Sequence, residues 1–577
     1  MAGGRRNNHG RYIRGKNKLG VVRPVEKEYK FMLRMVNNHP LEYFAGEPSN
    51  AFQFAFQQKT SVNCNAHAGG KGKVCHIFFW FVRYYPIFTF SGMAQRSFIS
   101  NLIFTLALNI LVKPLWVLLI DRQVQIQAGH AQYGLYSALL SMALIFNILL
   151  DIGLTNYNQR NMAAYPERIR SDWPNMMLGK VFLGFLFTVF ILIVGYVLGY
   201  REQALSWLLW IAVIQILNSL LLFLRSCIAA QHDFRVDAVL SVLDKILVIG
   251  LCAYWLYAPN QSTFALEYFL YAQAGAYLLA VVFAIAWIVK KYGPFSTQHI
   301  ALQLMGGIVK DSIPYAVLIL FMAVYMRVDA MMLERMHGAE QAGYYAATYR
   351  LLDMANTMGY LMAGILLPLF SRMLREKKDI GIILIQSTNM LFGMALAAMV
   401  FSWFYSEGIM EWLYPADHGS LNRLFKLTFS MFPAFCMMYL FATVLTARGE
   451  IGLLLKLAAG GAFSALVVNA VLIQCYKAEG AAMASLLVEW GMAFAYLYYA
   501  RQRVAWTWPA FWWLKCGALI FSMAILNYVF CRLHITWFLA AIMNIPFFLG
   551  IVYGIRFWQK EAISSYLREF RANRMGD

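Results

Sequence analysis

The sequence predicts an all-α integral membrane protein. It holds about 14 transmembrane helices: two pseudo-symmetric six-helix bundles around a central cavity, plus two C-terminal helices. Three observations carry this. Of 577 residues, 60% are hydrophobic and 14% charged, against about 45–50% and about 25% in an ordinary soluble domain. No soluble core of this size hides that surplus, so it faces lipid, and a soluble enzyme is excluded. Apolar runs long enough to cross a bilayer recur along the chain, with the cations of their connections gathered on one side. A ten-residue passage also returns in the second half.

The first 92 residues stand apart. Residues 1–96 carry 15 Lys/Arg against 4 Asp/Glu and have no lasting apolar period, and the one apolar run, 76–90, is interrupted by Arg83 and Pro86. Met93-Ala94-Gln95-Arg96 then leads straight into a long apolar stretch. Residues 1–92 therefore read as a basic disordered extension or as an upstream region added by a mis-set start; the intact mass of the native protein separates the two. Cys64, His67, Cys75 and His76 lie here, at spacings that fit no standard zinc pattern, and no metal or cofactor is expected.

The fourteen spans are placed at 98–120, 133–156, 177–199, 203–224, 237–257, 265–289, 311–333, 342–370, 381–406, 421–446, 452–473, 480–500, 510–530 and 535–555. They divide the chain into an N-terminal bundle (93–290), an amphipathic linker on the inner surface (291–310), a C-terminal bundle (311–503), two additional spans (504–556) and a basic cytoplasmic tail (557–577). With the first span starting in the cytoplasm, the inner connections and tail hold 20 Lys/Arg and the outer ones 5. This asymmetry puts both termini inside, and it accounts for the net charge of +20 without nucleic acid as a partner.

Gly129-His130-Ala131-Gln132-Tyr133-Gly134-Leu135-Tyr136-Ser137-Ala138, entering the second span, matches Gly338-Ala339-Glu340-Gln341-Ala342-Gly343-Tyr344-Tyr345-Ala346-Ala347, entering the eighth. Gly, Gln, Gly, Tyr and Ala coincide at a constant offset of 209. A duplicated six-helix unit inserts both copies the same way up, as parallel repeats that enclose a cavity and rock about it. Pro114 and Pro314, in the first spans of the two halves, are positioned to allow bending.

Arg327-Val328-Asp329-Ala330-Met331-Met332-Leu333, the passage Gly343 to Leu351, and Glu479-Gly480-Ala481-Ala482-Met483-Ala484-Ser485 resemble polysaccharide-biosynthesis flippases. These belong to the multidrug/oligosaccharidyl-lipid/polysaccharide exporter superfamily, and the resemblance runs from about residue 93 to 560. It implies translocation of a polyprenyl-pyrophosphate-linked oligosaccharide across the bacterial inner membrane for surface polysaccharide synthesis, with other polysaccharide-assembly proteins as further partners. A cation-coupled multidrug exporter of the same superfamily and a peptidoglycan-precursor flippase are the alternatives. A membrane glycosyltransferase or polymerase is disfavoured by the short outer connections.

Ionisable residues deep inside spans cost roughly 2.5–3.5 kcal/mol on insertion scales, so they face protein or water. They are Lys113, Asp244, Lys245, Arg327, Asp329, Arg350, Asp353, Lys426 and Glu489. A pyrophosphate leaving water needs cations, and arginine offers it a two-pronged contact. Lys113, Arg327 and Arg350 are accordingly expected to bind it in a basic cavity. Arg350 and Asp353 are also i,i+3 neighbours that can pair on one helix face. Asp329, Asp353 and Glu489 are read as ligands for a coupling cation or proton, or as ion-pair partners. No catalytic group is expected: the histidines fall in the extension or in connections, and Gly69-Gly70-Lys71-Gly72-Lys73 lacks the phosphate-loop spacing.

Overall fold

The computed structural model describes residues 104–557, apart from 105–107, 110, 156–168, 231–232, 258–264, 294–301, 505, 507, 509–510 and 556. The readings of 1–92 and of 558–577 lie outside the described residues. What is described is helical, with ten helices long and apolar enough to cross a membrane.

The first span does not end at residue 120. After Pro114 the helix widens into a π-turn, Trp116–Asp121, and continues into α1, Arg122–Ile145. Proline removes a backbone donor and displaces the carbonyl below it, and a π-turn is one way to absorb the mismatch. At Gly129 (φ 79°, ψ 160°) the chain turns back on itself. The Tyr133 hydroxyl then reaches Asp121 at 2.7 Å, whereas 12 residues of straight helix would separate them by about 18 Å. The N-terminal lobe continues with α2 (Ile169–Val197), α3 (Glu202–Ala230), α4 (Phe234–Tyr257) and α5 (Leu266–Tyr292).

In the C-terminal lobe, α6 (Leu302–His337) and α7 (Ala339–Arg375) meet at Gly338 (φ 88°, ψ 168°). Gly129 and Gly338, matched by the repeat, thus make the same turn, and only glycine enters that conformation without strain. α8 (Gly381–Leu413), α9 (His418–Phe429), α10 (Phe432–Ala447) and α11 (Ile451–Arg503) follow. α11 is two arms folded at Lys477 (φ 53°, ψ −127°), for Gly461 faces Met492 across the fold.

Three of these segments carry local detail that periodicity does not show. The second span leaves the α-helix at Ile145, passes through a 3₁₀ turn, Asn147–Leu150, and is helical again at Leu154 and Thr155. The tenth is broken between α9 and α10, just before Pro433. Residues 302–310 are continuous with the rest of α6.

The two added helices, α12 (Trp512–Arg532) and α13 (Trp537–Gly554), pack against α8. Asn389 accepts from the Trp512 indole at 2.6 Å and donates to the Phe557 carbonyl at 2.7 Å. Asn527 and Asn544 exchange amide hydrogen bonds at 3.1 and 3.0 Å. In an apolar setting such paired amides align helices that have no hydrophobic drive to associate. Phe182, Phe185, Val197, Leu514, Phe521 and Phe538 remain exposed on the outer faces of the helices, as a lipid-facing surface requires.

Where the second span breaks, buried Lys180 of α2 pairs with Asp151 and donates to the Leu150 carbonyl at 3.2 Å and to Ser219 at 3.0 Å. The lysine side chain is 1% exposed. Asp151→Ala strands this charge and should cost about 3–5 kcal/mol. The double variant with Lys180→Met should recover most of the loss in thermal unfolding of the detergent-solubilised protein. An Asp151→Ala protein as stable as wild type would remove this pair from the account of the break.

Candidate functional site

The two lobes touch along the second and eighth spans, at the end that carries Gly129 and Gly338. A Cβ on Gly134 would overlap the Ala339 carbonyl, and one on Gly343 would overlap the His130 carbonyl. These contacts are reciprocal, since 134 and 130 map onto 343 and 339 by the repeat offset. The helices therefore cross backbone to backbone about a pseudo-twofold axis.

Polar contacts close the same end. Arg122 donates to the carbonyls of Leu413 (2.5 Å) and Trp412 (2.9 Å) in the other lobe. Gln125 donates to the Gly343 carbonyl at 2.9 Å and accepts from Tyr414 at 3.1 Å, and His130 Nε2 lies 3.0 Å from Asp417. Tyr200 donates to Glu334 at 2.7 Å, while Arg335 reaches the Leu198 carbonyl at 2.9 Å. We call this the clasped end.

Below the crossing lies a small pocket of about 50 Å³. The second span lines it with Ser137, Leu140, Ser141 and Leu144, the seventh with Arg327, Asp329 and Ala330, and the eighth with Tyr345, Tyr349, Arg350 and Asp353. Helical spacing explains the set: Ala346, Arg350 and Asp353 fall on one face of α7, with Arg350 about 10 Å below Gly343.

The cations are paired, though not as i,i+3 geometry suggests. Arg327 meets Asp353 at 3.1 Å, between neighbouring spans, and lies 5.6 Å from the Tyr349 ring centre. Arg350 reaches across to Asp121 of the other lobe, Nε to Oδ2 at 3.4 Å. Asp329 accepts from Tyr345 (2.5 Å), Ser485 (2.9 Å) and its neighbour's backbone N–H at Ala330 (2.7 Å). Glu489, one turn beyond Ser485, is 3% exposed, and its Oε2 has no hydrogen-bond partner among the described residues. Lys113 does not line the pocket; its electrostatic neighbours are Lys245, Asp244 and Arg225 inside the N-terminal lobe.

The basic cavity is therefore corrected. Two arginines and two aspartates line the pocket, with no net formal charge among them. The physical reason is desolvation, which makes an unpaired buried cation too costly to keep. Sequence reasoning missed Asp121, assigned to a connection because the first span was ended at residue 120. It is 1% exposed. Its signal was Pro114, which announces an irregular turn that carries the helix onward. Each lobe places an aspartate of its first span beneath a tyrosine hydroxyl of its second, Asp121–Tyr133 and Asp329–Tyr345. The pairs depart from the constant offset by one and three residues.

Two lobes of membrane-crossing helices, closed on each other at one end over a polar pocket, define a multi-pass membrane protein with the fold of flippases and exporters. The family described as "Polysaccharide biosynthesis protein" matches residues 99–374, slightly under half of the chain. The resemblance drawn from the motifs around Arg327 and Gly343 thus stands, and those motifs lie within the matched stretch. No curated protein matches the sequence. Among solved structures the chain is similar to the lipid II flippase MurJ in an inward closed conformation: TM-score 0.61, 14% identity, covering 79% of this chain and 99% of that one. It is also similar to an inward-facing MATE family transporter of the MOP superfamily, with TM-score 0.54, 13% identity and coverages of 70% and 98%. A third is a MOP superfamily transporter from Pyrococcus furiosus whose title describes a binding pocket of reverse polarity: TM-score 0.52, 13% identity, coverages of 73% and 96%. At these identities the likeness establishes the fold.

Proposed function

We propose that this chain is a flippase that carries a polyprenyl-pyrophosphate-linked oligosaccharide across the bacterial inner membrane by alternating access. The observation that carries the reading is the pairing of Arg327 and Arg350. Each lines the pocket and meets its carboxylate through a single nitrogen, at 3.1 and 3.4 Å. Neither carboxylate is held by the two-pronged contact that a guanidinium can give, and phosphate oxygens favour that bidentate geometry. A cationic cargo would instead favour a pocket in which acids outnumber bases, and here they balance. The family match over 99–374 points to polysaccharide precursors as the cargo class. Asp353, paired with Arg327, serves as its counter-ion, while Asp329 and Glu489 are the residues we assign to a coupling cation or proton.

Reconstituted protein should flip a lipid-linked oligosaccharide and should not extrude a cationic dye. Dye extrusion without lipid flipping would replace this reading by the multidrug one, and flipping of lipid II alone by the peptidoglycan-precursor one. With both termini inside, the clasped end faces outward, so this conformation is outward-closed. A cysteine at Gly419 should then react with a membrane-impermeant thiol reagent in intact spheroplasts and one at Lys377 should not. The reverse pattern would invert the orientation.

A further inference from the structure

Asp121 is a buried and incompletely compensated charge at the lobe interface. It is 1% exposed, its Oδ1 has no hydrogen-bond partner among the described residues, and its Oδ2 is shared by the Tyr133 hydroxyl at 2.7 Å and Arg350 Nε at 3.4 Å. It ends a π-turn, and the next residue is Arg122, whose guanidinium holds two carbonyls of the opposite lobe. One short stretch of helix thus joins the cargo cation to the clasp.

We propose that Asp121 is a built-in counter-anion that the cargo must displace from Arg350, and that its displacement releases the Arg122 clasp. This rests on the flippase reading above and assigns Asp121 as a coupling residue that acts through Arg350 and Arg122. A pyrophosphate group offers Arg350 two oxygens where Asp121 offers one, so it competes on geometry as well as charge. Once Arg350 turns to the phosphate, Asp121 is a buried carboxylate without a cation, a state costly enough to force it to move. Its backbone can move because a π-turn is a local irregularity that rewinds to α-helix by shifting one residue's register. That shift rotates Arg122 away from Leu413 and Trp412. With the pocket empty, Asp121 occupies Arg350 and the clasp stays shut, so opening without cargo is suppressed.

The test uses the full chain in nanodiscs with undecaprenyl pyrophosphate as the probe. Accessible native cysteines are changed to serine and spin labels are placed at Ala131→Cys and Glu340→Cys, exposed positions at the clasped end of each lobe. In the wild-type background the probe should lengthen the distance between labels. Asp121→Asn removes the competitor; it should bind the probe about tenfold more tightly, and the label distance should no longer respond. Tyr133→Phe leaves Asp121 more dependent on Arg350 and should weaken probe binding several-fold, which keeps the test decisive if Asp121→Asn fails to fold. Wild-type binding with unchanged affinity in both variants, or tighter binding by Tyr133→Phe, overturns the role of Asp121 alone. Failure of the wild-type protein to bind the probe overturns the flippase reading and this inference with it.

Discussion

Arg350→Ala should slow flipping of lipid-linked oligosaccharide in proteoliposomes about 10- to 150-fold per folded molecule. The estimate follows from one charge-assisted contact worth about 1.5–3 kcal/mol, at about 1.4 kcal/mol per tenfold in rate. The same substitution leaves Asp121 buried without its cation, so it should also destabilise the protein by about 3–5 kcal/mol. These effects separate cleanly. Adding Asp121→Asn should restore the yield of folded protein without restoring flipping, and Arg350→Lys should recover part of the rate by keeping charge without the planar fork. Arg327→Ala should show the rate loss with less damage to folding, because its partner Asp353 is 28% exposed. Normal flipping by well-folded Arg350→Ala and Arg327→Ala proteins would remove both residues from the cargo site.

Gly343→Ala should open the clasped end. Its new methyl group would occupy the space of the His130 carbonyl, main-chain atoms that yield only if the lobes separate. Overpacking of this kind costs about 1–3 kcal/mol, so the ratio of clasped to unclasped molecules should fall about 5- to 150-fold. Gly134→Ala should do the same through Ala339, its mirror contact. Gly364→Ala, on the same helix as Gly343 but with nothing within 4 Å of the added carbon, is the control. The measurement is the distance between labels at positions 131 and 340 in the absence of cargo. A distance in Gly343→Ala equal to that in the control would show that the crossing does not hold the end shut.

The glycines illustrate how much was legible beforehand. Gly129 and Gly134 were matched to Gly338 and Gly343 by counting residues, and each pair has a shared structural role. The first makes the same positive-φ turn, the second the reciprocal crossing. Ala138 and Ala347, matched by the same offset, are both fully buried. A duplication leaves such a signature because both copies meet the same steric demand at the same point in the chain. Membrane spans are legible for a related reason, since lipid imposes a length and a polarity on each span independently of its neighbours.

Charge pairing is of a different kind. Composition and apolar length settle that Arg327, Arg350 and Asp353 lie within spans, but sequence neighbours do not decide which carboxylate each arginine meets. Helical spacing offered Asp353 to Arg350; the fold gave Asp353 to Arg327 and brought Asp121, 229 positions away, to Arg350. A π-turn after Pro114 and a reversal at Gly129 were needed to carry Asp121 there, and neither leaves a periodic mark. The presence of membrane-crossing segments is therefore a property of the chain against the bilayer, readable one segment at a time. The neutral pocket and its interlobe ion pair are properties of segments against one another, because a buried charge is tolerable only where another segment supplies its opposite.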